Sequence, residues 1–287
     1  MSEPSDQTED PLAPGLYVAA TPIGNLGDAS ARLLSVLRRA DGVLCEDTRV
    51  TGKLLSAFGI KASMTAYHDH NADRLRPQVL DRLAAGKALA LVSDAGTPLV
   101  SDPGFKLVRD ARAAGHRVHA VPGPCAPIAA LMVCGAPSDR FSFHGFLPKS
   151  GGARRTMLSA LADRDETVMV FETAPRLASA LADIAEVMGP RTVSVCRELT
   201  KRYEEAVTGE AGALAERYGA SPTKGEIVLV IHPPEAAGPP DEAAVDVMLR
   251  EALAAHRVKD AAGLVAERTG LPKRDLYARA QAIKDDG

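Results

Sequence analysis

The chain has 287 residues, 46% of them hydrophobic and 25% charged, which is enough apolar mass for about two domains at ~150 residues each and excludes a mainly disordered chain. There is no run of about 18 apolar residues to cross a membrane, no basic-then-apolar leader at Met1–Asp6, and no CxxC pair among Cys45, Cys125, Cys134 and Cys196, so the expected setting is a reducing cytoplasm without a metal or disulfide scaffold. Aromatic residues are 4%, with no Trp, which counts against RNA recognition by base stacking on an aromatic sheet, and the net charge of −3, taken whole, argues against a nucleic-acid partner.

The charge is unevenly placed. Residues 1–13 hold Glu3, Asp6, Glu9 and Asp10 and no base, so the remainder carries +1. The Pro-, Ser- and acid-rich composition of that segment predicts a disordered tail.

Strand and helix patterns then alternate. Gly15–Ala20 reads as a strand running into the turn Thr21-Pro-Ile-Gly-Asn-Leu-Gly27. Asp28 is expected to cap a helix over Ala29–Arg39. Strands are predicted at Gly42–Cys45, Ser63–Tyr67, Ala88–Ser93 and His116–Val121, and helices at Thr51–Phe58, Ala72–Ala85 and Phe105–Ala114. The fully apolar Ala88–Val92 suits a strand buried on both faces of a parallel sheet. Five strands alternating with helices predict a first α/β domain, mostly parallel, over residues 14–122.

Pro122-Gly-Pro124 breaks the pattern and reads as a hinge. A helix follows over Ala126–Cys134. Strands are then expected at Phe141–Phe146, Thr167–Phe171, Thr192–Cys196, Ala206–Thr208 and Ile227–Ile231, with helices at Arg154–Leu161, Pro175–Met188 and Ala211–Tyr218. This is a second α/β domain, 123–233. Pro233–Pro240 is a linker by composition. Three helical patterns close the chain, at Asp241–Ala255, Lys259–Arg268 and Arg274–Ile283. With Thr269-Gly-Leu-Pro272 before the last, residues 241–287 resemble a helix-turn-helix module. From Arg257 to Lys284 there are seven bases and three acids; this is either a solvated helical surface or a phosphate-contacting patch.

Three loops stand at the carboxyl ends of predicted strands, where open α/β sheets bind ligands. Thr21–Asp28 carries Gly24 and Gly27 in a GxxG spacing, which is neither the GxGxxG dinucleotide fingerprint nor a GxxxxGK[ST] phosphate loop. Ser93-Asp-Ala-Gly-Thr-Pro-Leu-Val-Ser-Asp-Pro-Gly104 holds two Pro, two Gly and two Asp after a buried strand, a rigid frame that lowers the entropy cost of holding a small ligand. Val121-Pro-Gly-Pro-Cys-Ala126 runs into a helix N-terminus, which offers free N–H donors. No neighbouring base supports a thiolate at Cys125.

These loops, in this order, resemble the tetrapyrrole methylase superfamily, whose members pair two α/β domains around a cleft for S-adenosylmethionine (SAM). The resemblance covers residues 15–232. Ala20–Asp28, Cys45-Glu-Asp-Thr-Arg49, Tyr67-His-Asp-His-Asn71, Ser93–Gly104 and Val121–Cys125 look like its ribosomal branch, which methylates the ribose 2′-hydroxyl of a cytidine in the decoding region of small-subunit (16S) rRNA. The C-terminal helices are similar to the module attached to that branch. The resemblance implies SAM as cofactor, small-subunit rRNA or the 30S particle as partner, and a homodimer.

Residue by residue, it implies SAM contacts at Pro22, at Gly96 and Thr97 (where the family has Gly-Asp), at Val100 and Ser101, and at Cys125 and Ala126. Phe171, Glu172, Gly225 and Glu226 would contribute from the second domain. A ribose hydroxyl must lose its proton, so an acceptor is needed; the candidates are Glu46, Asp47, His68, Asp94 and Glu198. Arg49 and Arg197 would anchor phosphates. Asp47 and Arg49 would alternatively form a helix cap with a first-turn ion pair. Lys149, Arg154, Arg155, Lys259, Lys273 and Arg274 would meet RNA. Two other functions fit less of the pattern: a methyltransferase acting on a tetrapyrrole, and a non-catalytic ribosome-binding factor.

Overall fold

The structure, a computed structural model, describes residues 11–234 and 242–285. Most of the expected acidic tail and of the Pro-rich linker lies outside the described residues. The chain divides into two compact units, with the break between Pro233 and Pro234.

In the first unit, β1 (Gly15–Ala19), β2 (Gly42–Cys45), β3 (Met64–Ala66), β4 (Ala88–Leu91) and β5 (Val118–Val121) form a sheet in the order β3-β2-β4-β1-β5. Every pairing in it is parallel. Side chains alternate across a strand, so each apolar strand feeds two cores. Tyr17, Val43, Cys45, Ala88 and Ala90 pack on one face with Leu33, Val36 and Leu37 of α1 (Ala31–Arg39) and Leu55 of α2 (Thr48–Ala57). Leu16, Leu44, Leu89 and Leu91 face the other way. They meet Val79 and Leu83 of α3 (Asp69–Ala84) and Leu107 and Ala111 of α4 (Phe105–Ala113). Each buried Val or Leu among them contributes about 1.5–3 kcal/mol.

The segment 11–13, read from composition as tail, joins this body. Leu12 packs against the first of these cores, and the Ala13 carbonyl accepts from the Tyr17 hydroxyl at 2.9 Å. A second correction concerns the start of α1. Asn25 Oδ1 accepts from Gly27 N–H at 2.9 Å and draws Leu26–Asp28 into a single 3-10 turn. Asp28 is spent in that turn, and Ser30 caps α1 instead, its Oγ accepting from Leu33 N–H at 3.0 Å.

The same unit contains a second sheet. Here β6 (Phe141–Phe146), β7 (Thr167–Thr173), β8 (Thr192–Arg197), β9 (Glu205–Glu210) and β10 (Glu226–Ile231) run in the order β6-β7-β10-β8-β9. The β6–β7 pair is parallel, whereas β7–β10, β10–β8 and β8–β9 are antiparallel. Val168, Val170, Val193, Val195, Leu229 and Ile231 point to α6 (Gly151–Leu161), α7 (Leu177–Met188) and α8 (Ala211–Ala220). Met169, Cys196, Val228 and Val230 point the opposite way, onto Ala130 of α5 (Ala126–Val133) and onto Ile23 from the loop after β1. That apolar cluster joins the loops of the first sheet to the face of the second.

The C-terminal unit is α9 (Glu242–Leu253), α10 (Val258–Thr269) and α11 (Lys273–Asp285) around Val245, Leu249, Ala262, Val265, Leu276 and Ala280. Gly270 ends α10 in the left-handed region at φ 69°, and its N–H closes on the Ala266 carbonyl at 2.9 Å. That conformation costs glycine nothing. Arg279 of α11 is tied to α9 through Asp246 at 2.5 Å and the Glu242 carbonyl at 3.0 Å. Among the described residues no helix is long and apolar enough to cross a membrane.

Candidate active site

All five strands of the parallel sheet point their carboxyl ends the same way, so the segments after them gather at one edge. After β1 the chain turns to α1 on one face; after β4 it turns to α4 on the other. Adjacent strands whose connections diverge leave a crevice between them. Across it, Thr21 and Gly96 form a two-way main-chain bridge, Thr21 N–H to Gly96 O at 2.9 Å and Gly96 N–H to Thr21 O at 3.1 Å. Thr21 Oγ1 also donates to Ser93 O at 3.2 Å. Thr97 Oγ1 donates to Pro124 O at 3.0 Å, which ties the second loop to the third. The Thr97 hydroxyl is thus committed to the frame.

The loop after β4 is held in uncommon backbone geometry. Leu99 has φ 75° and Ser101 φ 63°. Left-handed non-glycine residues store strain that surrounding contacts must overcome, and they cluster at functional sites. On the facing side, Glu198 has φ 50° and Thr200 φ 65°.

Between these loops and the face of the second sheet lies a cleft of about 580 Å³, within the range of small-ligand sites, about 300–1,000 Å³. Ile23, Val100, Phe171, Leu199, Ile227 and Val228 give it an apolar floor. Gly96, Thr97, Ser101, Cys125, Ala126, Gly225 and Glu226 supply polar and small groups around it. A flat heterocycle with an apolar chain fits such a lining.

One of the expected cofactor residues needs correction, and the carboxylate of a second is turned away from the cleft. Pro22 is absent from the lining, and its neighbour Ile23 takes the place, because the bridge at Thr21 fixes which way the next residues face. Glu172 borders the cleft, but its carboxylate is fully buried. It accepts from Arg176 Nε at 2.7 Å and Thr173 N–H at 2.6 Å, so its carboxylate holds the end of β7 while the residue keeps its place in the cleft lining.

The expected catalytic residues assemble at the same edge. Asp94 lines the cleft, and its Oδ1 accepts from Asp47 N–H at 3.0 Å. Glu46, Asp47, Arg49 and His68 stand beside the cleft without lining it. Asp47 caps α2: it accepts from Arg49 N–H at 2.8 Å and pairs with Arg49 Nη2 at 2.6 Å. Those bonds from Arg49 hold its carboxyl down at about 2. The cap with an ion pair is therefore the geometry present, and it leaves the Arg49 side chain 87% exposed. Burial, and then the charges of Asp94 and Asp69, push the Glu46 carboxyl up. His68 caps α3, its N–H donating to Asn71 Oδ1 at 2.9 Å, with its Nδ1 buried and unpartnered. Glu198 is taken by Lys201 at 2.9 Å and Glu226 N–H at 3.0 Å.

One acid of this edge was not among the candidates. Asp102 also lines the cleft. Its burial, followed by the charge of Glu46, pushes its carboxyl up to about 6, against a lowering bond from Ser93. Its position between Ser101 and Pro103, at the end of a loop rigid by composition, is the one sequence signal that could have found it.

The basic residues separate into two groups. Arg154 is corrected from an RNA contact to a core residue, because its guanidinium is buried on Asp183 at 2.5 Å. Arg197 is also withdrawn as a phosphate anchor, since it is bound to Glu205 at 2.8 Å and to Lys224 O at 3.2 Å. Arg155 pairs with Asp183 at 3.0 Å but stays 45% exposed. Lys149 is exposed, as are Lys259, Lys273 and Arg274 in the C-terminal unit.

A parallel lobe whose carboxyl-edge loops meet the face of a mixed second sheet around an apolar cleft is built to hold a small ligand. The family model "Tetrapyrrole (Corrin/Porphyrin) Methylases" matches residues 15–215, and the chain belongs to that family. The model "RsmI C-terminal HTH domain" matches residues 239–284. A protein of Erythrobacter litoralis named "Ribosomal RNA small subunit methyltransferase I" is 52% identical over 97% of this chain and 99% of its own length. One of the same name from Escherichia coli O157:H7 is 43% identical, over 96% and 97%. Among solved structures, the methyltransferase CobJ has a TM-score of 0.58 at 19% identity, covering 77% of this chain and 94% of CobJ. A Thermus thermophilus uroporphyrin-III C-methyl transferase complexed with S-adenyl homocysteine has 0.55 at 16%, covering 76% and 97%. At those identities the likeness is one of fold.

Proposed function

We propose that this chain is a SAM-dependent methyltransferase that methylates the ribose 2′-hydroxyl of a cytidine in the decoding region of 16S rRNA. The observation that carries this reading is the extent of the similarity. Two relatives named for small-subunit rRNA methylation match 96–97% of the chain, and the family model for the C-terminal module matches residues 239–284. The fold neighbours CobJ and uroporphyrin-III C-methyl transferase cover 76–77%.

SAM would supply a methyl group already activated by its sulfonium, so positioning contributes much of the catalysis. Ile23, Val100, Phe171, Ile227 and Val228 offer its adenosine and thioether portions an apolar seat. Thr97, Ser101, Cys125, Ala126 and Gly225 line the rim with small side chains and main-chain polar groups. The acidic edge with Glu46 and Asp94 supplies acceptors for the proton of a hydroxyl. Arg49, turned outward while its inner side is held by Asp47, is placed to pair with a phosphate beside the reacting ribose. Lys149, Arg155, Lys259, Lys273 and Arg274 extend that electrostatic contact, which suits a protein with few aromatic residues.

The test is methyl transfer from labelled SAM to small-subunit particles, followed by digestion to nucleosides. Label in 2′-O-methylcytidine is expected; label on a base would contradict the ribose assignment. Arg49→Ala is expected to lower transfer by about 100-fold or more while SAM affinity, read by calorimetry, stays within about threefold. Ending the chain after Pro234 is expected to weaken RNA binding by at least about tenfold with SAM affinity retained. Equal RNA affinity with and without the segment would contradict a role for it in RNA binding.

A further inference from the structure

Phe146, the last residue of β6, lines the cleft of the proposed reaction, on which this inference rests. Of the large apolar side chains in that lining it alone is exposed, at 54%; Ile23, Leu199, Ile227 and Val228 are buried. An irregularity in β6 places it there. Phe143 stands opposite Met169 of β7 and Phe146 opposite Phe171, so three steps on β6 match two on β7. Side chains alternate along a regular strand, which would put the two phenylalanines on opposite faces. The extra residue brings Phe146 round to the face of Phe143 and Phe171, as bulges re-aim side chains beside functional sites. Gly145 makes the turn in the left-handed region, at φ 67°.

The ring is held firmly on one side and open on the other. Its centre lies 5.2 Å from that of Phe171, which itself meets Phe143 edge-on at 4.8 Å. The next residue, Leu147, is buried; its N–H donates to Phe171 O at 3.2 Å and its carbonyl accepts from Arg176 Nη2 at 3.1 Å. Arg176 is fixed in turn by the sealed Glu172. A rigid aromatic surface with a free side suits a planar ligand, since little ordering entropy remains to be lost. The acceptor supplies one. For a ribose hydroxyl to reach a methyl group inside the cleft, its nucleotide must leave the surrounding stack, and the base loses its neighbours. An aromatic side chain replaces them, and it accepts any base because every base has a π face. The buried floor residues are the seat assigned to SAM above, which leaves the open ring to the acceptor.

We propose that Phe146 is the platform on which the base of the methyl-accepting nucleotide stacks. It binds and orients that nucleotide and takes no part in bond making or proton transfer. Its contribution comes from the π face, so an apolar side chain of similar bulk without a ring does not replace it. The Glu172–Arg176 pair serves the same subsite indirectly, by fixing the main chain that presents the ring.

The experiment compares the full-length protein with Phe146→Ala, Phe146→Leu and Phe146→Tyr in single-turnover methyl transfer to small-subunit particles at saturating SAM. Calorimetry with SAM on each variant reads the cofactor seat separately. Phe146→Ala and Phe146→Leu are each expected to lose about 10–100-fold in transfer. Phe146→Tyr, which keeps the ring, should restore transfer to within about threefold of wild type. SAM affinity should stay within about threefold in all three. A purely structural role would be met by leucine as well as by tyrosine, so the difference between those two variants reads stacking. Transfer by Phe146→Leu within about threefold of wild type, or a loss by Phe146→Tyr as large as that by Phe146→Leu, overturns the proposal. A fall in SAM affinity of about tenfold or more in Phe146→Ala also overturns it, because the cofactor's own adenine would then occupy the ring. Each of these results leaves the methyltransferase reading standing. Wild-type protein that transfers no methyl to particles or RNA overturns that reading and the proposal with it.

Discussion

Replacing Gly96 by valine is expected to raise the dissociation constant for SAM by at least about 100-fold, some 2.8 kcal/mol, while both sheets stay folded. Gly96 sits at φ 83°, where an L side chain is strained, at a cost of about 1–2 kcal/mol before any clash. A Cβ there would stand 3.2 Å from Ile23 Cγ2 and 3.7 Å from Pro124 O, and valine adds two methyl groups to it. Ile23 is part of the cleft floor and Pro124 lies in the third loop, so the side chain would push on two walls of the site. It would also strain the Thr21–Gly96 bridge that sets the crevice. Gly96→Ala carries the strain with less of the clash and should fall between. Isothermal calorimetry with SAM, beside a circular-dichroism melt, checks this. Binding by the valine variant within about threefold of wild type would mean that the loop after β4 does not form the ligand seat.

The second large effect concerns stability. Asp183→Ala is expected to destabilise the first unit by about 3–5 kcal/mol, because it leaves the Arg154 guanidinium buried without its counter-charge. Asp183 holds Arg154 at 2.5 Å and Arg155 at 3.0 Å, and both it and Arg154 are 6% exposed. At roughly 2–4 °C per kcal/mol for a body of this size, the midpoint should fall by about 10 °C. Asp183→Leu combined with Arg154→Met should recover most of the loss, since a packed apolar pair replaces a buried ion pair at little cost. Differential scanning calorimetry reads both. A fall of less than about 2 °C for Asp183→Ala would contradict the assignment of Arg154 to the core.

These cases show which parts were legible from the amino-acid order. Strands announced themselves where burial on both faces leaves an unbroken apolar run, as in Ala88–Leu91, or where phenylalanines recur between polar residues, as in Phe141–Phe146. The loops after them were legible because glycine and proline mark the backbone geometry a ligand seat requires. Pairing direction in the second sheet was not, since whether β10 runs with or against β7 and β8 depends on contacts remote in sequence. The helix start at Ser30 was missed because a local side-chain bond from Asn25 diverted the chain first.

The charged residues were the least legible. Arg154 and Arg155 are adjacent and alike in sequence; both reach Asp183, but helix geometry buries the first and leaves the second half-exposed. Glu172 ends a strand as a ligand contact would, yet Arg176, one helical turn on, seals it. Asp102 reads as one more polar residue in a turn-rich loop until the fold places Glu46 and Asp94 near it and buries all three in part. Ionisation at such a site is decided by neighbours from two different strand ends, information that no single stretch of the chain contains.

The most direct test of the whole account offers the wild-type protein labelled SAM with three acceptors in parallel: small-subunit particles, naked 16S rRNA and a porphyrin precursor. The account predicts label in the RNA, from particles or from naked 16S rRNA, and none in the porphyrin. Label in the porphyrin precursor with none in either RNA sample would contradict it.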